Sequence, residues 1–151
     1  AYDDSVIIQH WVEGVEVSVT VLGTPGSEKV LPPVEIEVKE GIYDTDARLE
    51  TSRVNHFCPV RDESLAALGS NVDNARVALE QAACEVYRAY DCRDFARVDF
   101  IWDGHKVMVM GLKTFPGLTE TSLVPMAIEA AGLKRDEVLA HLVVGALERG
   151  N

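Results

Sequence analysis

Apolar residues take every second position through "VEVSVTVLG", residues 15 to 23, where Val15, Val17, Val19 and Val21 alternate with Glu16, Ser18 and Thr20. A period of two sends successive side chains to opposite sides of an extended chain, so this stretch predicts a strand with one apolar and one polar face. The same alternation through Val34, Ile36 and Val38 predicts another strand. Pro32 and Pro33 mark its start, where a ladder N–H is dispensable. The run "VIIQHW", residues 6 to 11, predicts one more, and "TPGSE" reads as a turn.

From Asn71 to Tyr90 the period changes. Val72, Ala75, Leu79, Ala82, Ala83, Val86 and Tyr90 recur at steps of three and four, the single stripe of an amphipathic helix. "FARVDFIW" and "KVMVM", joined by "DGH", predict a hairpin with Asp103-Gly104 at its turn. A last helix is expected from about Lys134 to Arg149, with Val138, Leu139, Leu142, Ala146 and Leu147 on its inner face. Residues 41 to 57 keep no period and read as a long functional loop. Strands, helix, hairpin and helices in this order predict an α+β fold, a largely antiparallel sheet flanked by helices, with residues 1–151 as one domain.

Composition narrows the function classes. A formal charge of −11 disfavours a general partner with a phosphate backbone or an anionic membrane surface, while leaving room for a local basic site. No apolar run approaches the roughly 20 residues of a membrane span, and the start lacks the basic region and apolar core of a signal peptide. Cys58, Cys84 and Cys92 form no CxxC pair, which fits reduced thiols in a cytoplasmic protein. The four histidines lie far apart, without a second ligand at zinc spacing.

Two places carry candidate chemistry. In "FARVDF" the strand period puts Arg97 and Asp99 on one face, and Ala96, Val98 and Phe100 on the other. An exposed ion pair is the commoner meaning of such charges. The alternative is a site in which the Asp holds a hard cation and the Arg neutralises phosphate or oxyanion charge. In "VMVMGLKTFPGLTETSLVP", residues 107 to 125, an apolar run turns abruptly into a loop rich in Gly, Pro, Thr and Ser that leads into a helix. Hydroxyls beside a helix N-terminus make a ready anion site.

Together, "ARVDF", the hairpin, "PGLT", "SLVP" and "AAG" follow in an order that resembles the C-terminal half of D-alanine–D-alanine ligases of the ATP-grasp superfamily. The resemblance extends through "VIIQHWVEGVEVSV", "LPPVEI", "IYD" and "FCP" and covers essentially the whole chain. It implies an ATP-dependent carboxylate-amine ligase of peptidoglycan precursor synthesis, with ATP, Mg²⁺ and D-alanine as ligands. It places Gln9, His10, Trp11 and Val12 at the adenine-contacting linker, Glu16 at the ribose hydroxyls and Arg48 at a phosphate, with Tyr43 and Leu49 in the same ligand-covering loop. By the same resemblance Arg97 and the Gly117 N–H stabilise the tetrahedral oxyanion, and Ser122 and Leu123 hold the carboxylate of the second D-alanine.

The departures bear on function as much as the matches. The family's Glu-x-Asn, two metal ligands on one strand face, aligns with Gly111 and Lys113, so only Asp99 remains of three ligands. Lys113 can bind phosphate with its ammonium but cannot reproduce the coordination geometry of a metal. The family's first substrate site lies in an N-terminal domain, so the chain by itself is expected to be inactive, and a binding or regulatory module is the alternative. For Asp99 and Arg97 to share a face with Gly111 and Lys113, the hairpin loop is expected to hold an odd number of residues.

Overall fold

In the computed structural model, which describes residues 4–39, 41 and 53–150, the alternating valines form the centre of a sheet. Strand β1 (Val15–Gly23) lies between β3 (Val34–Val38) and β5 (Asp94–Trp102). Beyond β3 lies β4 (Val54–Phe57), beyond β5 lies β6 (Val107–Lys113), and the short β2 (Lys29–Val30) pairs with the far end of β1. The order is β4-β3-β1-β5-β6 and every pairing is antiparallel. The α+β expectation holds.

Helices cover both faces. Val17, Val19 and Val21 pair with Phe100, Val98 and Ala96, and this apolar face packs against α1 (Asp62–Ala67) and α2 (Val72–Ala89) through Leu65, Ala75, Leu79, Ala83 and Tyr87. On the other face Val34, Ile36 and Val54 pack against Leu123, Val124, Ala127 and Ile128 of α3 (Leu123–Ala130). The last helix, α4 (Arg135–Gly150), reaches that second core through Val138. The polar side of β1 and β5 lies on this second face, next to α3's core.

Helix α2 shows how local chemistry sets an element's limits. Asn71 accepts a hydrogen bond from the Asn74 N–H at 3.0 Å, which satisfies one of the donors left open at a helix start. At the other end Arg88 donates to Glu28 in the β1–β2 turn at 2.6 and 3.0 Å, and these bonds bring the Glu28 carboxyl down to about 2. The inner stripe ends on Tyr87, not Tyr90: the Tyr87 hydroxyl donates to the Gly23 carbonyl at 2.6 Å, whereas Tyr90 caps the helix in the exposed layer. Position 87 continues the i+4 series from Ala75 through Leu79 and Ala83, and Tyr90 does not.

Other expectations need correction. Residues 6 to 11 form no strand, and Val6, Ile7 and Ile8 are 84 to 91 % exposed. An extended segment becomes a strand only when a neighbour takes its N–H and C=O groups, and none of the described strands lies beside this one. The region expected as loop from 41 to 57 ends in β4, whose four residues pair with β3. On α4, Val138, Leu139 and Leu142 are half-buried as expected, but Ala146 and Leu147 face outward, because the side of the helix's second half turned to the sheet carries Gly145 and Arg149, which donates to Asp94 on β5.

Candidate functional site

The hairpin decides which side chains meet. Its loop, residues 103 to 106, is even-numbered, contrary to the expected odd count, and closes through the Asp103 N–H on the Lys106 carbonyl at 3.2 Å. Asp103 also accepts from the His105 and Lys106 N–H groups at 2.8 and 2.7 Å. In a regular ladder this turn would set Asp99 opposite Met110. Instead the pairing steps from Phe100–Val109 to Asp99–Gly111, a register shift that leaves Met110 without a partner. Such a bulge adds one residue to one strand and reverses the facing of everything beyond it. Arg97 then stands opposite Lys113 and Asp99 opposite Gly111, so all four share one face.

Asp99 is the hub of that face. One carboxylate oxygen accepts from Ser18 Oγ at 2.8 Å and Arg97 Nε at 2.9 Å. The other accepts from Arg97 Nη2 at 2.9 Å and has the Lys113 ammonium at 3.3 Å. Burial pushes the Asp99 carboxyl up, but the bonds and charge of Arg97, with Ser18 and Lys113, outweigh it and hold the group below the usual carboxylate range. A carboxylate offers about four lone-pair sites, and three hydrogen bonds and the Lys113 ammonium already surround them. A hard cation would have to displace an arginine or a lysine. Among the described residues no group of three His, Cys, Asp or Glu side chains could hold a metal. As arranged, the residues present do not fit a divalent ion.

Beside this cluster lies a cleft of about 480 Å³ whose lining includes Trp11, Glu16, Ile36, Ile101, Met110 and Lys113 together with Asp99 and Gly111. Trp11 is 70 % exposed, so it is a wall of the cleft and not a core aromatic; Trp102, by contrast, is buried and donates from Nε1 to Ser70 Oγ at 3.0 Å. Glu16 is half-buried with a partner of its own. Of the residues expected on the nucleotide side, the structure therefore brings Trp11, Glu16 and Lys113 together with Asp99. Gln9 and His10 are exposed and Val12 is half-buried just ahead of β1. Tyr43, Arg48 and Leu49 lie outside the described residues.

The loop-to-helix junction forms a second group. Ser122 is the N-cap of α3 by position, but its hydroxyl pairs with the Thr119 hydroxyl at 2.8 Å and makes no capping bond. Gly117 lies against it: a Cβ at Gly117 would stand 2.7 Å from Ser122 Oγ. Leu123 is buried in the second core, which leaves only its backbone to meet a ligand. Neither Gly117 nor Ser122 lines the Asp99 cleft, and no hydrogen bond or ion pair among the described residues joins them to Arg97. His56, on β4, was not singled out by the sequence. Its Nε2 is buried without a hydrogen-bond partner among the described residues, and burial, with the charge of Arg97 added, lowers its basicity.

Sequence reasoning also missed Ser18 and Met110. The polar stripe of β1 carried a signal for Ser18; nothing in the sequence marks where a ladder will bulge.

These features define a class: an α+β lobe with a charged cluster and an open cleft on the polar half of one sheet face. The family profile described as the D-ala D-ala ligase C-terminus matches residues 1–144, and the chain belongs to that family. A D-alanine–D-alanine ligase from Halalkalibacterium halodurans is 32 % identical over 150 residues, covering 98 % of this chain and 46 % of that protein. The corresponding ligase of Carboxydothermus hydrogenoformans is 34 % identical over 148 residues, 97 % of this chain and 44 % of its own length. The solved structure of the Coxiella burnetii D-alanine–D-alanine ligase superposes with a TM-score of 0.64 at 26 % identity, over 92 % of this chain and 32 % of that one. The Bacillus anthracis ligase complexed with ATP shares the fold at a TM-score of 0.66 and 22 % identity, over 91 % of this chain and 41 % of its own. The chain thus spans a little under half the length of the curated relatives it matches.

Proposed function

We propose that this chain is the nucleotide- and acceptor-binding lobe of a D-alanine–D-alanine ligase-like, ATP-dependent carboxylate-amine ligase of cytoplasmic peptidoglycan precursor synthesis, with two of the family's three metal-ligand positions lost. The observation that carries the reading is the meeting of Trp11, Glu16, Asp99 and Lys113 at one cleft. Gln9, Trp11 and Val12 would contact the base, Glu16 the ribose hydroxyls, and Arg48 and Lys113 the phosphates. Arg97 and the Gly117 N–H would face the oxyanion; Ser122 and Leu123, with Tyr43, would hold the acceptor D-alanine. The remaining part of such a ligase would supply the other wall of the cleft, and the exposed Val6–Ile8 segment is suited to pair with it.

A second reading, a binding or regulatory module without turnover, is favoured by the three hydrogen bonds and the lysine ion pair that surround Asp99. ADP release by the intact protein with ATP, Mg²⁺ and D-alanine separates the two. D-alanine-dependent release supports the ligase. Nucleotide binding without release supports the module, and the absence of both overturns the shared premise that the cleft takes nucleotide.

A further inference from the structure

The cleft is unlike at its two ends. On β5, Ile101 stands opposite Glu16 and Arg97 stands opposite Lys113. Those rows are four residues apart, which is about 13 Å along a strand. One end is apolar with a single carboxylate: Trp11, Ile36, Ile101 and Glu16. The other is cationic, because Arg97 and Lys113 outnumber Asp99 and leave one net positive charge.

The two cations differ in what they can still do. Arg97 is buried and gives two bonds to Asp99, which commits part of its guanidinium to holding that carboxylate. The Lys113 side chain is 37 % exposed, lines the cleft and has one described partner, Asp99. An ammonium has three donors, so two remain for a ligand. Gly111, directly beside Asp99, adds no bulk: a Cβ there would meet nothing within 4 Å. The Met110 bulge is what turns this pair toward the cleft.

We propose that the cleft binds a nucleoside polyphosphate without a divalent cation, with the Lys113 ammonium as the fixed counter-charge to the phosphates. The inference rests on the cleft being a nucleotide site, as proposed above. A ligand with an apolar heterocycle and a polyanionic tail spans the roughly 13 Å between the two ends, and a cleft of this volume is of ordinary size for a small-molecule ligand. In a chain of formal charge −11, a polyanion needs such a local cation to enter at all. A metal-bound nucleotide would bring positive charge to a place where Lys113 and Arg97 already stand, and Coulomb repulsion opposes it.

Calorimetric titration of the intact protein with ATP, once in EDTA and once in Mg²⁺, tests this directly. The expected result is binding in EDTA at least as tight as in Mg²⁺. Lys113→Asn should weaken binding in EDTA by about tenfold or more, the scale of one lost charge-assisted bond, while Lys113→Arg should largely retain it. Combining Gly111→Glu with Lys113→Asn should make binding metal-dependent. Binding that requires Mg²⁺ in the unaltered protein would overturn the inference and leave the nucleotide reading intact. Binding in neither buffer would overturn both. Equal affinity of the unaltered protein and Lys113→Asn in EDTA would remove Lys113 from the site.

Discussion

Asp99 and Glu35 are both carboxylates drawn into the sheet, and their donors decide what each can do. Glu35 lies on the α2 face and accepts from the Arg61 backbone N–H at 3.0 Å, its Nε at 3.2 Å and Nη2 at 2.5 Å, and from Ser64 Oγ at 2.7 Å. Arg61 also bonds Glu37 and sits 3.6 Å over the Phe57 ring. The Glu35 side chain is 3 % exposed, so removing its cation leaves a charge in the interior. Arg61→Ala is expected to cost about 3 kcal/mol in urea denaturation, the low end for a broken buried pair because Arg61 itself reaches solvent. A loss below about 1 kcal/mol would rank it with ordinary surface bridges. Neither Glu35 nor Arg61 lines the cleft, so the nucleotide binding proposed above should survive in folded protein.

Within the β5–β6 hairpin two glycines carry opposite expectations. Gly104 adopts φ +98°, and a Cβ there would stand 2.7 Å from the Leu68 carbonyl oxygen. An L side chain is strained in that region and the contact is with backbone, so Gly104→Ala should destabilise by about 2 kcal/mol. Gly111 has ordinary backbone and open space around its missing Cβ. Gly111→Ala should therefore stabilise by roughly 0.5 kcal/mol, since it restricts the unfolded chain without touching the folded one. Scanning calorimetry of the two variants checks both signs. A loss of stability in Gly111→Ala would mean that the bulge beside it depends on glycine.

Across the whole molecule, three groups that are at least half-buried couple stability to pH in the same direction. His56 is less basic than usual because of burial and Arg97, so the unfolded chain takes up that proton first. Its contribution is present above about 6.5 and declines as the pH falls below that value. Burial raises Glu35 and Asp99, but their arginine partners and hydroxyl donors outweigh it and leave both below the usual range. Their contribution is complete above about 4 and disappears as the pH drops through the folded values. Thermal unfolding should show a shallow loss that begins below about pH 6.5 and a steep one below about 4. His56→Leu should flatten the first stage and leave the second, because Nε2 forms no hydrogen bond among the described residues for the leucine to forfeit.

The sequence by itself determined the central strands, the α2 helix, the hairpin and the side of β5 that carries Arg97 and Asp99. Each rests on a period of two or of three and four, and a period is a local property of the chain. It also showed Gly and Lys at positions 111 and 113, where the family resemblance leads one to expect two metal ligands, since residue identity requires no coordinates. Tertiary structure decided the rest. The strand expected at 6 to 11 needs a partner for its backbone, and β-propensity cannot supply one. Whether Lys113 meets Asp99 depended on a bulge at Met110, which follows from how two strands settle against the whole sheet. That Ser18 completes the shell of Asp99 depended on the β1–β5 register, set by packing Val17, Val19 and Val21 against α2. Periodicity tells each side chain which face it occupies, and only the assembled sheet tells it which neighbours it meets there.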